Sequence, residues 1–167
     1  MKWFRIGSLA GAVLSAQTLE VGKAIPASLS AQDEKGQVVT FSKLKGQWIV
    51  LYFYPHDDTP GCTRQAIEFS RLLDEFHKAG AQVYGLSLQD AESHKRFRQK
   101  HNLRVPLLTD EGGKVAKAFG VSVFMGMCSR DVVVIDPDGK VALIRRGVSA
   151  ENSPSEILAW LKAQAKP

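Results

Sequence analysis

Residues 48–54 read Trp-Ile-Val-Leu-Tyr-Phe-Tyr, and this run decides the fold. An almost continuous apolar and aromatic stretch, with no polar alternation, fits a strand covered on both faces in a largely parallel sheet. Pro55 ends the run, and Asp57-Asp58-Thr59-Pro60-Gly61 follows as a loop. Pro60 suits a first helical turn. Ala66, Phe69, Leu72, Leu73 and Phe76 then make one apolar stripe at helical spacing, stopped by Ala79-Gly80. Before the run, Gln37 to Phe41 reads as a short strand after a turn at Asp33 to Gly36. After it come a strand over 82–88, a polar helix over 91–101, a short strand at 106–108 and a helix over 114–119 closed by Gly120. Residues 131–135 and 140–145 form a hairpin around Asp136-Pro137-Asp138-Gly139. Ser153-Pro154-Ser155-Glu156 has the form of a capping box, opening a last helix through Ile157, Leu158 and Leu161. Alternating units with a terminal hairpin predict an α/β fold: a central mixed β-sheet flanked by helices.

The chain has 167 residues, 44% of them hydrophobic and 23% charged, the profile of one ordinary globular domain. No apolar run reaches the roughly 18 residues of a membrane-spanning helix. The net charge is +5 and the pI about 9.3, but the basic residues are scattered and no aromatic stripe interleaves them. Nucleic acid is therefore not an expected partner, because clustering matters more than total charge. Cys62 and Cys128 form neither a CxxC pair nor a zinc-knuckle spacing, and two cysteines are too few for a disulfide scaffold. His56, His77, His94 and His101 are scattered without a completing carboxylate or thiol, so no metal is expected.

At the N-terminus, Lys2 and Arg5 precede an uncharged apolar stretch from Ile6 to Ala16, and Glu20 is the first acid. That order is that of a signal peptide, although Leu14 is bulky for the −3 position of a cleavage after Ala16. The expected organisation is residues 1–18 as a signal peptide or membrane-tethering extension and residues 19–167 as the domain. Location follows: periplasmic, exported or membrane-tethered if residues 1–18 act as a targeting segment, cytoplasmic otherwise. Membrane contact is expected only through this segment.

Loops leaving the C-terminal ends of central strands are where such sheets place their sites. The loop after Tyr54 runs Pro55-His56-Asp57-Asp58-Thr59-Pro60-Gly61-Cys62-Thr63. Cys62 falls in the first turn of the helix, facing unsatisfied N–H groups and the positive end of the dipole. Both favour the thiolate, the nucleophilic form. Thr59 can place a hydroxyl near the sulfur that both accepts and donates. Pro55 and Pro60 stiffen the loop and shield one side. A thiolate beside a hydroxyl and free amides suits two linked oxygens: the sulfur attacks one, and donors stabilise the other as it leaves. That chemistry is peroxide reduction, with Cys62 becoming a sulfenic acid.

The run Phe53-Tyr54-Pro55-His56-Asp57-Asp58-Thr59-Pro60-Gly61-Cys62-Thr63 resembles the peroxiredoxin signature Pro-x-x-x-Thr/Ser-x-x-Cys, in the form of the peroxiredoxin Q, or bacterioferritin comigratory protein, group. The resemblance extends over about Leu19 to Lys162, including Val21-Gly22-Lys23-Ala24-Ile25-Pro26 and Arg130 ahead of Val132 to Asp136. It implies a thioredoxin-like fold and a thiol peroxidase with Cys62 as the peroxidatic cysteine. Thr59 would bind the peroxide, Pro55 would shield the thiolate, and Arg130 would stabilise both thiolate and leaving oxygen. It further implies hydrogen peroxide and organic hydroperoxides as substrates and thioredoxin or another small thiol donor as reductant. Sulfur carries the redox change, so no cofactor is called for. The expected assembly is a monomer or a weak homodimer. Members of the group begin near the Leu19 equivalent, which makes the first eighteen residues an addition.

Two departures stand out. Ile67 occupies the position, five after the peroxidatic residue, where many members carry a resolving cysteine, and Gln65 stands where the group often has Glu. Cys128 lies two residues before Arg130; if that stretch is extended, both side chains share a side and Cys128 faces Cys62 as a resolving cysteine. The alternative is a small inert hydrophobe in the sheet. Asp57 and Asp58 read as solvated turn residues. Phe119, Val121, Phe124 and Met125 read as core, with a dimer or donor-docking patch as the other reading. Two further functions stay open: a disulfide oxidoreductase of the same fold, against which the absent CxxC counts, and a non-enzymatic redox sensor or binding module in which Cys62 oxidation is the signal.

Overall fold

The structure is a computed structural model that describes residues 17–164. Among these, β1 (Ser30–Gln32), β2 (Val38–Thr40), β3 (Trp48–Phe53), β4 (Ala81–Ser87), β5 (Leu107–Thr109), β8 (Val132–Ile135) and β9 (Val141–Arg145) form one sheet in the order β2-β1-β5-β4-β3-β8-β9. A separate ribbon pairs β6 (Val123–Phe124) with β7 (Met127–Cys128). β3 runs parallel to β4 and antiparallel to β8, so the sheet is mixed, as the order of elements predicts. β3 is central, which is why it reads as unbroken hydrophobicity. The helices are α1 (Pro60–Arg71), α2 (Leu73–Lys78), α3 (Ala91–His101), α4 (Lys114–Ala118) and α5 (Ser153–Gln164). None among the described residues is long and apolar enough to cross a membrane. The targeting expectation for the N-terminus lies largely outside the described residues.

The alternation of β3 divides the core in two. Val50, Tyr52 and Tyr54 pack with Cys62, Ala66, Phe69, Leu73, Phe76, Phe97, Ile157, Leu158 and Leu161 on one face. Ile49, Leu51 and Phe53 pack with Phe41, Val115, Phe119, Val121 and Cys128 on the other. The two cysteines thus belong to different clusters.

Several sequence expectations shift. The single helical stripe after Pro60 is two helices, broken at Leu72, whose ψ of 2° leaves helical geometry. Ser153 is the first residue of α5 rather than its cap, and its hydroxyl accepts a hydrogen bond from Gln65 instead. β1 and the β6–β7 ribbon are too short to leave a periodic signal and were not expected. That ribbon also splits the apolar stretch read as core: Phe119 and Val121 are buried, whereas Phe124 and Met125 stand 75% and 81% exposed at its tip.

Candidate active site

The end of β3 builds the site. Tyr54 N–H donates to Leu86 O at 3.1 Å, which carries the strand's pairing one residue past its end, and Pro55 then turns the chain out. Asp58 takes a left-handed backbone, φ 58°, a conformation Asp tolerates better than most residues. Thr59 is the extended cap of α1: its carbonyl accepts Thr63 N–H at 2.8 Å and its hydroxyl donates to His56 O at 3.0 Å. With Pro60 at the first helical position, Cys62 lies within the first turn and is buried.

Arg130 reaches the same point from the segment between β7 and β8, anchored where Val148 N–H donates to its carbonyl at 2.8 Å. Its Nη2 donates to Cys62 Sγ at 3.4 Å and its Nη1 to Gln65 Oε1 at 2.7 Å. Gln65 is fully buried and passes its own amide proton to Ser153 Oγ at 3.1 Å. A neutral amide therefore accepts from the guanidinium where the resemblance leads one to expect a carboxylate, and Arg130 keeps its full charge for the sulfur. Gly61 makes this approach possible: a Cβ there would lie 3.1 Å from Arg130 Nη2. The helix N-terminus and the guanidinium together place positive potential on one sulfur. Pro55, Thr59, Cys62 and Arg130, all singled out from sequence, converge on this end of the sheet.

Cys128 does not join them. The expected shared side is not found: Cys128 packs in the cluster on the other face, and Asp131 N–H donates back to Ser129 O at 3.1 Å in a three-residue turn centred on Arg130. Cys128 instead donates its thiol to Tyr54 O at 3.0 Å, within the cluster on the other face. Burial, with Asp110's charge adding to it, pushes that thiol up to about 12. In this arrangement Cys128 caps a strand-end carbonyl, and its burial disfavours the thiolate.

The sequence reading also missed a polar network beneath the loop. Asp57 is buried, not solvated. Its carboxylate accepts from Tyr54 Oη at 2.6 Å, Ser93 Oγ at 2.8 Å and His94 Nδ1 at 2.7 Å. His94 Nε2 meets Leu108 O at 3.2 Å. Burial alone would raise the Asp57 carboxyl, but the hydrogen bond and charge of His94, with Tyr54 and Ser93, outweigh it and hold Asp57 below the usual carboxylate range. Asp58 pairs with Lys100 Nζ and His101 Nε2, each at 2.6 Å. Gln89 completes the loop's support, accepting from Asp57 N–H at 3.1 Å and donating to Pro55 O at 3.4 Å. The one available signal was that His94 and His101 share α3 with the basic Lys100, opposite a loop carrying two adjacent acids.

Comparison with known proteins agrees with this geometry. The sequence pattern of the AhpC/TSA family matches residues 21–144. Peroxiredoxin Q, chloroplastic, of Suaeda salsa is 45% identical over 122 residues, 72% of this chain and 57% of that protein. The Arabidopsis thaliana protein of the same name is 42% identical over 145 residues, 85% of this chain and 67% of that one. The chain thus spans little more than half the length of several curated relatives it matches. Among solved structures, a PrxQ mutant of Xylella fastidiosa superposes with TM-score 0.83 at 28% identity, covering 90% of this chain and 99% of that one. Xanthomonas campestris bacterioferritin comigratory protein, studied for alkyl peroxide reduction, gives 0.80 at 33% identity over 88% of this chain and 100% of that one. The fold is therefore the thioredoxin-like arrangement that the resemblance implied.

Proposed function

The chain belongs to the AhpC/TSA family, and on that premise we propose that it is a thiol peroxidase reducing hydrogen peroxide and organic hydroperoxides through Cys62. The observation that carries the proposal is the Arg130 guanidinium 3.4 Å from Cys62 Sγ at the N-terminus of α1. The Cys62 thiolate attacks one peroxide oxygen; an S–O bond forms as the O–O bond breaks. Sulfur is oxidised by two electrons to a sulfenate, and the departing oxygen takes a proton to leave as water or an alcohol. Arg130 donors face the charge that shifts from sulfur to oxygen, the kind of stabilisation that dominates such steps. The Thr59 hydroxyl, engaged only as a donor to His56 O, keeps lone pairs for a peroxide O–H. Pro55 closes the cup without adding a donor.

Reduction of the sulfenic acid falls to thioredoxin or another small thiol donor, because Cys128 sits in the cluster across the sheet. A Cys128 that resolves would need that cluster to open. Intact mass before and after one equivalent of hydrogen peroxide tests both points. Gain of oxygen on Cys62 is expected; loss of two hydrogens in the monomer would transfer resolution to Cys128. No change at either thiol would overturn the peroxidase and favour a sensor or binding role. We read residues 1–18 as a targeting or tethering segment on the order of charge and hydrophobicity in it; fractionation of cells expressing the full chain, with the mass of the product, tests that reading.

A further inference from the structure

The network under the active loop contains more than packing requires. His94 is completely buried, and both of its ring nitrogens face acceptors: the Asp57 carboxylate at 2.7 Å and the Leu108 carbonyl at 3.2 Å. A neutral imidazole would turn a lone pair toward one of them. Tyr54 Oη, 3.3 Å from the same Nδ1, spends its own proton on Asp57. Asp57 is the acid that meets the ring, and Ser93 and Tyr54 complete its hydrogen bonds. Removing one partner of such a buried pair is costly, whereas a hydrophobic pair of the same shape would not be. Its retention under this loop calls for a role besides stability.

We propose that the buried Asp57–His94 hydrogen-bonded pair is a positioning device for Cys62, holding the loop Pro55–Thr59 on α3 so that Thr59 and the first turn of α1 meet a peroxide in register. The proposal rests on the peroxidase reading. Asp57 stands between Pro55 and Thr59 and three residues from the start of α1, so displacing its carboxylate moves the cap that opens the helix. The second grip, Asp58 on Lys100 and His101, holds the far end of α3 but is exposed, and surface pairs contribute little. The buried pair is the one that sets geometry.

Three variants test this, Asp57→Asn, His94→Gln and the milder Ser93→Ala, which removes one donor to Asp57 without stranding a charge. Two rates are measured on each folded protein: oxidation of Cys62 by hydrogen peroxide, and its alkylation by iodoacetamide, which needs the thiolate but not the peroxide cup. Misplacement of the loop should cost oxidation roughly 10- to 100-fold in the first two variants and about threefold in the third, with alkylation at the parental rate in all three. Folded variants that oxidise at the parental rate, or that lose both rates in parallel, overturn the proposal. If the first two do not fold, an unchanged Ser93→Ala oxidation rate overturns it. A parent protein inert to peroxide instead sinks the peroxidase reading.

Discussion

Arg130 does two things with one guanidinium, donating to Cys62 Sγ and to Gln65 Oε1 at once. A lysine there would keep the charge but lose the rigid fork. Arg130→Lys is therefore expected to slow Cys62 oxidation by about 10²- to 10³-fold with little change in melting temperature, as stopped-flow fluorescence and thermal unfolding would record. Cys128→Ala tests the other thiol. It strips a donor from Tyr54 O and should cost about 1 kcal/mol in urea unfolding, while Cys62 oxidation stays at the parental rate. At this scale the sequence was most legible where the determinants are local. Pro55, Thr59 and Cys62 stand close together on one loop and the helix turn it feeds. Asp57 was misread as solvated because its fate depends on Ser93 and His94, 36 and 37 positions away, and nothing in its own neighbourhood announces them. Cys128 faces the other cluster because strict alternation does not carry through the three-residue turn that Asp131 N–H closes on Ser129 O.

The helices show how far local pattern carries. The stripe from Ala66 to Phe76 located the apolar face correctly, and Ala66, Phe69, Leu73 and Phe76 are all buried. It could not locate the break at Leu72, because periodicity is blind to a single residue leaving helical geometry. Two predictions belong here. Gly61→Ala places a methyl 3.1 Å from Arg130 Nη2, so it should displace the guanidinium and slow oxidation about tenfold, checked by the same kinetics. The second concerns the tie between the loop and α3. A carboxyl held below its unfolded value contributes stability that is present above about pH 4 and is lost as pH falls through its folded value. Urea midpoints should therefore drop on acidification, and Asp57→Asn, already weakened at neutral pH, should show a shallower drop.

Over the whole molecule, the mixed sheet was legible because β3 is so uniformly apolar that only a central position accommodates it. Its edges were not: β1 has three residues, and β6 and β7 two each. Such strands exist because neighbours complete them, not because their residues demand it. The second core cluster takes large side chains from short elements as well as from β3, and Phe119, fully buried at the end of α4, is one of its three buried phenylalanines with Phe41 and Phe53. Phe119→Ala should lower stability by about 3–5 kcal/mol in denaturant unfolding while leaving the alkylation rate of Cys62, in the other cluster, unchanged.

The placement of the two sulfurs in separate clusters has a last consequence. On the proposed reading, Cys128 could discharge an oxidised Cys62 only if its cluster opened. An oxidised Cys62 would otherwise wait for a reductant from solution. The interval between firing and reset is then a property of the surroundings, lengthening as reductant becomes scarce. The chain would then keep a short-lived chemical memory whose duration it does not itself control.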